Sequence, residues 1–343
     1  MRSHGCAVAE FSITLHRYNK TRPFDFVVTQ SHNRIIAETC GRTSAHIHIL
    51  YKATFMSKVK STHLRHIVAV SNNKGGAGKT TTVLNLAAAI ARKGYHVLVI
   101  DTDPQCNLSL SVGWDTTREG TRTKPGEPTI FNAICLGQNI PVYRNETGLY
   151  YTPSSPRMED ADIHLNSSEV TDPVRVLKML FAEPIDDHTG EGLKEWESSF
   201  DFIFIDTQPA MSRVTVNVIC AATGIIIPVE LEPLAVDGYV KTIGKIMKIK
   251  KVSNPSLQIH GILLTKKDRR LVSARSFEEQ LREEGDVFET TISRTNDVPN
   301  SQDRDYDERP GICHDIFSYQ KGRGRAKEDF TNLAEEYIKK WGK

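Results

Sequence analysis

Long apolar runs are missing from this chain: no stretch of about 18 or more uninterrupted hydrophobic residues occurs, so no membrane-spanning helix is expected. Cysteine is sparse and scattered. The six residues (Cys6, Cys40, Cys106, Cys135, Cys220 and Cys313) include no C-x-x-C pair, which argues against a structural zinc site and a disulfide framework and leaves free thiols in a reducing cytosol. A strong charge of one sign is also lacking. With a formal net charge of +2, any affinity for nucleic acid must come from local clusters of Lys and Arg. Internal repeats, low-complexity tracts and the n-region and h-region of a secretory signal are absent too. The composition is that of an ordinary globular protein, and 343 residues suffice for one large domain or two small ones.

The first 55 residues differ from the rest. They mix His, Arg, Thr and Cys without a sustained helical or strand period. Met56 is followed by Ser57-Lys58-Val59-Lys60 and soon by an apolar strand. Met56 is therefore the expected natural start, residues 1–55 a disordered or mis-assigned extension, and residues 56–343 the functional domain.

From His66 onward, short apolar runs alternate with helical patterns, the mark of a doubly wound α/β fold with a mostly parallel sheet and helices on both faces. Ile67-Val68-Ala69-Val70, His96 to Ile100, Phe202 to Ile205, Ile225 to Ile227 and Ile262 to Leu264 read as strands. Their near-continuous β-branched character suits strands covered on both faces. Thr80 to Lys93 reads as a helix closed by Gly94. Asp115 to Pro128 and Asp186 to Glu197 read as exposed loops. Phe330, Leu333, Ala334, Tyr337, Ile338 and Trp341 share one face of a terminal helix.

Lys74-Gly75-Gly76-Ala77-Gly78-Lys79-Thr80-Thr81 lies between the first strand and the first helix, the setting a phosphate-binding loop requires. Glycines let backbone N–H groups close around phosphate oxygens, and the helix N-terminus adds its positive dipole. Lys79 is placed to neutralise β- and γ-phosphate charge and Thr80 to ligate Mg²⁺. The usual first glycine of such loops is replaced by Asn73, and a second lysine, Lys74, appears instead.

This K-G-G-x-G-K-[ST]-[ST] pattern resembles the deviant Walker A motif of the ParA/MinD group of P-loop NTPases. The resemblance implies ATP and Mg²⁺ as cofactors, a homodimer in the ATP state, and a Lys74 that reaches the partner's nucleotide. Asp101-Thr102-Asp103-Pro104-Gln105 resembles the D-x-D-P-Q segment of ParA proteins, where the second aspartate, here Asp103, orients or activates water. Asp101 then supports the Mg²⁺ shell. Phe202 to Asp206 reads as a Walker B strand whose Asp206 holds Mg²⁺, with Gln208 standing where relatives more often have Pro. Carboxylates at the carboxyl ends of parallel strands face the ligand crevice. Further segments in family order are Thr129 to Gly137, Leu149 to Ser154, Pro228 to Gly238 and Gly261 to Thr265. With no room for a helix-turn-helix domain after Met56, the chain is similar to the small, Soj-type ParA proteins.

For that family the resemblance implies nonspecific DNA binding, plasmid or chromosome partition with a ParB-type centromere-binding protein, and a cytoplasmic, nucleoid-associated location. Candidate DNA contacts are Lys267, Arg270 and Arg294, within a wider basic group of Lys266, Arg269 and Arg275. Ser293 and Asp297 depart from the family pattern beside Arg294. Lys321, Arg323, Arg325 and Lys327 form another basic run. A MinD-like membrane-associated ATPase is the rival reading, and it requires the terminal helix to insert into lipid. Glu328, Asp329, Glu335 and Glu336 oppose that near anionic lipid, and docking on the domain is expected instead. A ParA-like regulator of another process is a third reading. Cys106 and Cys135 do not match the paired cysteines of an iron–sulfur reductase.

Overall fold

The computed structural model describes residues 66–117, 124–167, 170–182, 200–231, 235–267, 272–303, 313–321 and 324–342, together with three strands before them. The chain forms two compact units, Met1–Ser61 and Thr62–Lys343. In the first, β1 (Glu10–Thr14), β2 (Asp25–Ser31) and β3 (Arg34–Ala37) pair as an antiparallel meander. The segments are four to seven residues long, too short to show a sustained period in the sequence.

In the second unit the order is β4 (Ile67–Val70), α1 (Lys79–Ala91), β5 (Val97–Asp101), α2 (Asn107–Ser111), α3 (Ile130–Leu136), β6 (Tyr143–Arg144), β7 (Tyr150–Thr152), α4 (Ala161–Leu165) and α5 (Val176–Ala182). Then come β8 (Phe202–Asp206), α6 (Arg213–Ala221), β9 (Gly224–Glu230), α7 (Ala235–Val252), β10 (Gln258–Thr265), α8 (Val272–Glu284), α9 (Asp297–Gln302) and α10 (Arg325–Trp341). The seven strands lie in the order β10-β9-β4-β8-β5-β7-β6, parallel except for β6 against β7.

Both faces of this sheet are covered, which is why the strand sequences lack polar alternation. On one face Ile67, Ala69, Leu98, Ile100, Ile203 and Ile205 pack with residues of α3 to α7. On the other, Val68, Val70, Val97, Val99, Phe202 and Phe204 pack with α1 and α10. Alternate residues of one strand thus enter opposite layers, as the two-residue period of a strand demands. Helix α1 ends at Ala91, two residues before the expected Lys93, and Gly94, at φ 93°, lies in the turn that follows and donates its N–H to Ala91 O. Asp115 and Lys124 to Pro128 flank residues outside the described set, and Asp186 to Glu197 lies wholly outside it.

The terminal helix docks. Phe330, Leu333, Ala334 and Tyr337 are fully buried against α1 and the sheet. Burying each large apolar side chain is worth roughly 1.5–3 kcal/mol. Two of its acidic residues serve as clamps: Glu336 accepts the backbone N–H groups of Glu289 and Thr290, each at 2.9 Å, and Asp329 accepts that of Ser293 at 2.8 Å. These amides and the Lys340 ammonium hold the Glu336 carboxyl below its usual pKa against the opposing pull of burial. The two edges of the sheet differ. The two-residue β6 ends one side, and on the other Val287 and Ser293 bridge to Ile262 and Lys267 along β10.

Beneath the C-terminal end of α10, His260 Nδ1 lies 2.8 Å from Tyr337 Oη, and its ring stacks on Trp341 at 3.9 Å. Burial, with His66 nearby, lowers the His260 pKa to about 4. An unfolded imidazole titrates near 6.5. Between about pH 6.5 and 4 the unfolded chain therefore binds a proton that the folded chain does not, so this residue's contribution is present at neutral pH and lost as pH falls. Thermal or denaturant unfolding should show wild type losing about 2 kcal/mol more than His260→Gln between about pH 7 and pH 5. Parallel pH profiles for the two proteins would refute this.

Candidate active site

Strand β4 ends in the middle of the sheet, and the loop that follows is braced from beneath. Asn72 is buried, donates to Pro228 O at 2.7 Å and accepts the Lys74 N–H at 3.0 Å. Thr265, at the end of β10, donates to Ala77 O at 3.0 Å, and its methyl would stand 3.4 Å from a Cβ on Gly78. Gly76 and Gly78 have φ of 73° and 89°, a left-handed backbone natural to glycine. With Ala77 buried between them, the loop curls tightly into the N-terminus of α1, as anion binding requires.

The two lysines of the loop differ in placement. Lys79 is buried, and its ammonium donates to Lys74 O at 3.2 Å, so the chain folds over its own loop. Burial lowers the Lys79 pKa, while Asp206 and Asp103 act in the opposite direction. Lys74 is exposed, as are Gly75 and Gly76.

Three carboxylates gather below the loop. Asp101 and Asp206 end adjacent strands and stand opposite each other in register. Both are fully buried, so desolvation dominates: it pushes the Asp101 pKa up to about 6 and Asp206 well above the usual carboxylate range. Both Asp101 oxygens are taken by protein donors. Oδ1 accepts the Asp103 N–H at 3.0 Å; Oδ2 accepts the Ser109 N–H at 2.8 Å and its hydroxyl at 2.6 Å. Asp101 thereby anchors the turn and α2. Asp206 is different. Its Oδ2 accepts the Thr80 hydroxyl at 2.6 Å, while its buried Oδ1 has no hydrogen-bond partner.

An orphaned buried carboxylate oxygen beside a threonine hydroxyl fits Mg²⁺, which takes oxygen ligands and typically only one or two carboxylates, with substrate phosphates completing its shell. Among the described residues no three His, Cys, Asp or Glu side chains form a metal cage. Asp103 is nearly buried, and its Oδ1 accepts the Gln105 N–H at 2.9 Å, which fixes the carboxylate within range of Lys79. Cys106 follows in the left-handed region at φ 56°. Burial raises its thiol pKa to about 12. Gln208 donates to Ser212, the N-cap of α6, and so joins the turn after β8 to a helix start.

Two of the candidate DNA contacts, Lys267 and Arg294, lie side by side, the Arg294 N–H donating to Lys267 O at 3.1 Å. Lys267 pairs with Glu278 at 2.6 Å, and Arg294 pairs with Glu230 at 3.0 Å. Arg270 lies outside the described residues, as do Arg269 and Arg323. Arg325 pairs with Asp329 at 3.2 Å. Two supporting residues have no motif of their own. Asn72 is signalled only by its place before the loop, and Ser109 acts across a gap in sequence that no local pattern reveals.

A strand–loop–helix phosphate cradle with carboxylates at the ends of flanking parallel strands defines a P-loop NTPase. The family described as an AAA domain matches residues 65–259. The chain is 32% identical to the chromosome-partitioning ATPase Soj of Thermus thermophilus over 66% of this chain and 80% of that protein. It is 29% identical to the chromosome partitioning protein ParA of Myxococcus xanthus, over 80% and 88% of the two chains. Among solved structures it resembles the septum site-determining protein MinD of Pyrococcus horikoshii complexed with Mg-ADP. That match has a TM-score of 0.58 and 22% identity, covers 81% of this chain and 97% of the other, and bears on the fold alone. The chain belongs to the ParA/Soj family of P-loop ATPases, enzymes that work with ATP and Mg²⁺.

Asp103→Ala should bind a fluorescent ATP analogue within about threefold of wild type while phosphate release falls at least tenfold, the signature of a group that acts on the attacking water. Loss of nucleotide binding in that variant would remove Asp103 from this role.

Proposed function

We propose that this protein is a partition ATPase that dimerises with ATP, binds DNA without sequence preference in that state, and is released by slow hydrolysis that a ParB-type partner accelerates. The observation that carries the reading is the division of labour between two lysines of one loop: Lys79 is buried and folded inward, whereas Lys74 is exposed. The second suits a nucleotide held by another copy.

On this reading the loop amides from Gly75 to Thr81 cradle the phosphates and Lys79 supplies charge to the β/γ end. Thr80 and Asp206 hold Mg²⁺, which when bound neutralises charge on the phosphate oxygens. Asp103, fixed by the Gln105 amide, orients a water and takes its proton. Lys267 and Arg294 serve DNA, each exchanging a carboxylate partner for a phosphate. Arg270 is assigned to the same surface from its sequence position.

The docked α10 favours this reading over a membrane-associated one. Insertion in lipid would have to strip Phe330, Leu333 and Tyr337 from the core and unmake the Asp329 and Glu336 clamps. No described helix is long and apolar enough to cross a membrane. The proposed location is the cytoplasm, on the nucleoid.

Binding to a nonspecific duplex, measured with ATP, ADP and no nucleotide at two salt concentrations, tests the proposal. ATP-dependent binding should fall steeply with salt, and Lys74→Ala should keep nucleotide binding within about threefold while losing the ATP-dependent dimer and DNA affinity. Absence of duplex binding in every nucleotide state, with dimerisation intact, would overturn the DNA assignment.

A further inference from the structure

Glu230, the last residue of β9, is one-tenth exposed and serves two cations at once. Its Oε2 pairs with the Lys266 ammonium at 3.1 Å and its Oε1 with the Arg294 guanidinium at 3.0 Å. Lys266 is also the residue that lies over the phosphate loop: its Nζ is 3.8 Å from the point a Cβ on Gly76 would occupy. The backbone at Lys266 is left-handed, with φ 50°, a conformation that side chains other than glycine adopt against steric resistance. It is held there from both sides. Thr265 bonds to the loop at Ala77, and Lys267 exchanges backbone hydrogen bonds with Ile292 and Arg294 at 2.9 and 3.1 Å. Arg294, for its part, is the most exposed member of the trio at 61%.

We propose that Glu230 is a shared counter-ion that sets the nucleotide site and the Arg294 surface against each other, with Lys266 as a third cation acting on the bound nucleotide's phosphates. The sign follows from charge alone. While Arg294 neutralises part of Glu230, Lys266 presents more of its charge to the loop. When a polyanion draws Arg294 away, the carboxylate falls back on Lys266 and the loop becomes less attractive to phosphate. Linkage makes the effect reciprocal: phosphates that engage Lys266 leave Glu230 to hold Arg294 more tightly. The coupling is antagonistic, a local brake within whatever global cooperation ATP produces between two subunits. The identity of the polyanion as DNA rests on the function proposed above; the coupling between Arg294, Glu230 and Lys266 does not.

The test is a double-substitution cycle on the full chain, reading the affinity for a fluorescent ATP analogue with Mg²⁺ in the absence of DNA. Glu230→Gln, which keeps the shape and removes the charge, should tighten nucleotide binding by roughly threefold to tenfold. Arg294→Gln should weaken it by about twofold or more in wild type, and should have no effect once Glu230 is Gln. Lys266→Met should weaken nucleotide binding and likewise erase the effect of Arg294→Gln, and it serves as the second route if the Glu230 variant does not fold. Glu278→Gln, which releases Lys267 away from the loop, should leave nucleotide affinity unchanged.

An unchanged affinity in Glu230→Gln, or an equal effect of Arg294→Gln in both backgrounds, overturns the inference. Duplex binding measured on the same proteins separates the two claims. If the cycle shows coupling and no variant binds duplex, the DNA assignment fails and the shared counter-ion stands. A flat cycle in a protein that binds duplex with ATP has the opposite meaning.

Discussion

Two carboxylates, Asp101 and Asp206, face each other from adjacent strands in the interior, and much of the architecture follows from making that arrangement tolerable. Buried like charges repel and lack solvation, so each must be hydrogen-bonded, neutralised or protonated. The protein answers differently for each. Asp101 accepts three hydrogen bonds from Ser109 and the Asp103 amide, which draws α2 and the turn onto the strand end. Asp206 receives one hydroxyl and the influence of Lys79, and keeps one oxygen without a partner. A site that is electrostatically unfinished in the protein alone is one that a divalent cation completes. The same arithmetic keeps Lys79 facing inward, since its ammonium is the nearest source of compensating charge.

The parts of the fold legible in sequence were those where burial leaves a continuous trace. Ile67–Val70 and Phe202–Asp206 are apolar throughout because helices cover both faces, and the phosphate loop carries its own spelling of glycines and lysines. The short elements left no such trace. Strand β6 has two residues, and α2 is a five-residue turn entered through a cysteine in a glycine-like conformation. Within the site, Lys79, Thr80 and Asp206 come together as the motifs suggested. The anchoring of Asp101 by Ser109 could not be read, because only the folded chain shows which donor reaches a carboxylate eight residues away.

Charge was the least legible property. Asp329 and Glu336 look in sequence like residues that would repel an anionic surface, yet they grip backbone amides of the segment that follows α8. Lys267 and Arg294 look like open basic residues, yet each has a carboxylate partner within 3.0 Å. A formal charge states the sign and leaves its use to the tertiary partner. The basic surface inferred from sequence is therefore smaller in the folded protein at rest than a count of Lys and Arg suggests.

The way the sheet ends has a consequence for self-association. An open row of strand amides would let copies stack edge to edge without regard to nucleotide, growing into fibres. Here a two-residue antiparallel strand ends one margin, and the chain between Val287 and Ser293 lies along the other. With both margins blunted, polymerisation through continuous hydrogen bonding is discouraged. Any pairing of copies that does form must then use side-chain surfaces, where charge and shape choose the partner.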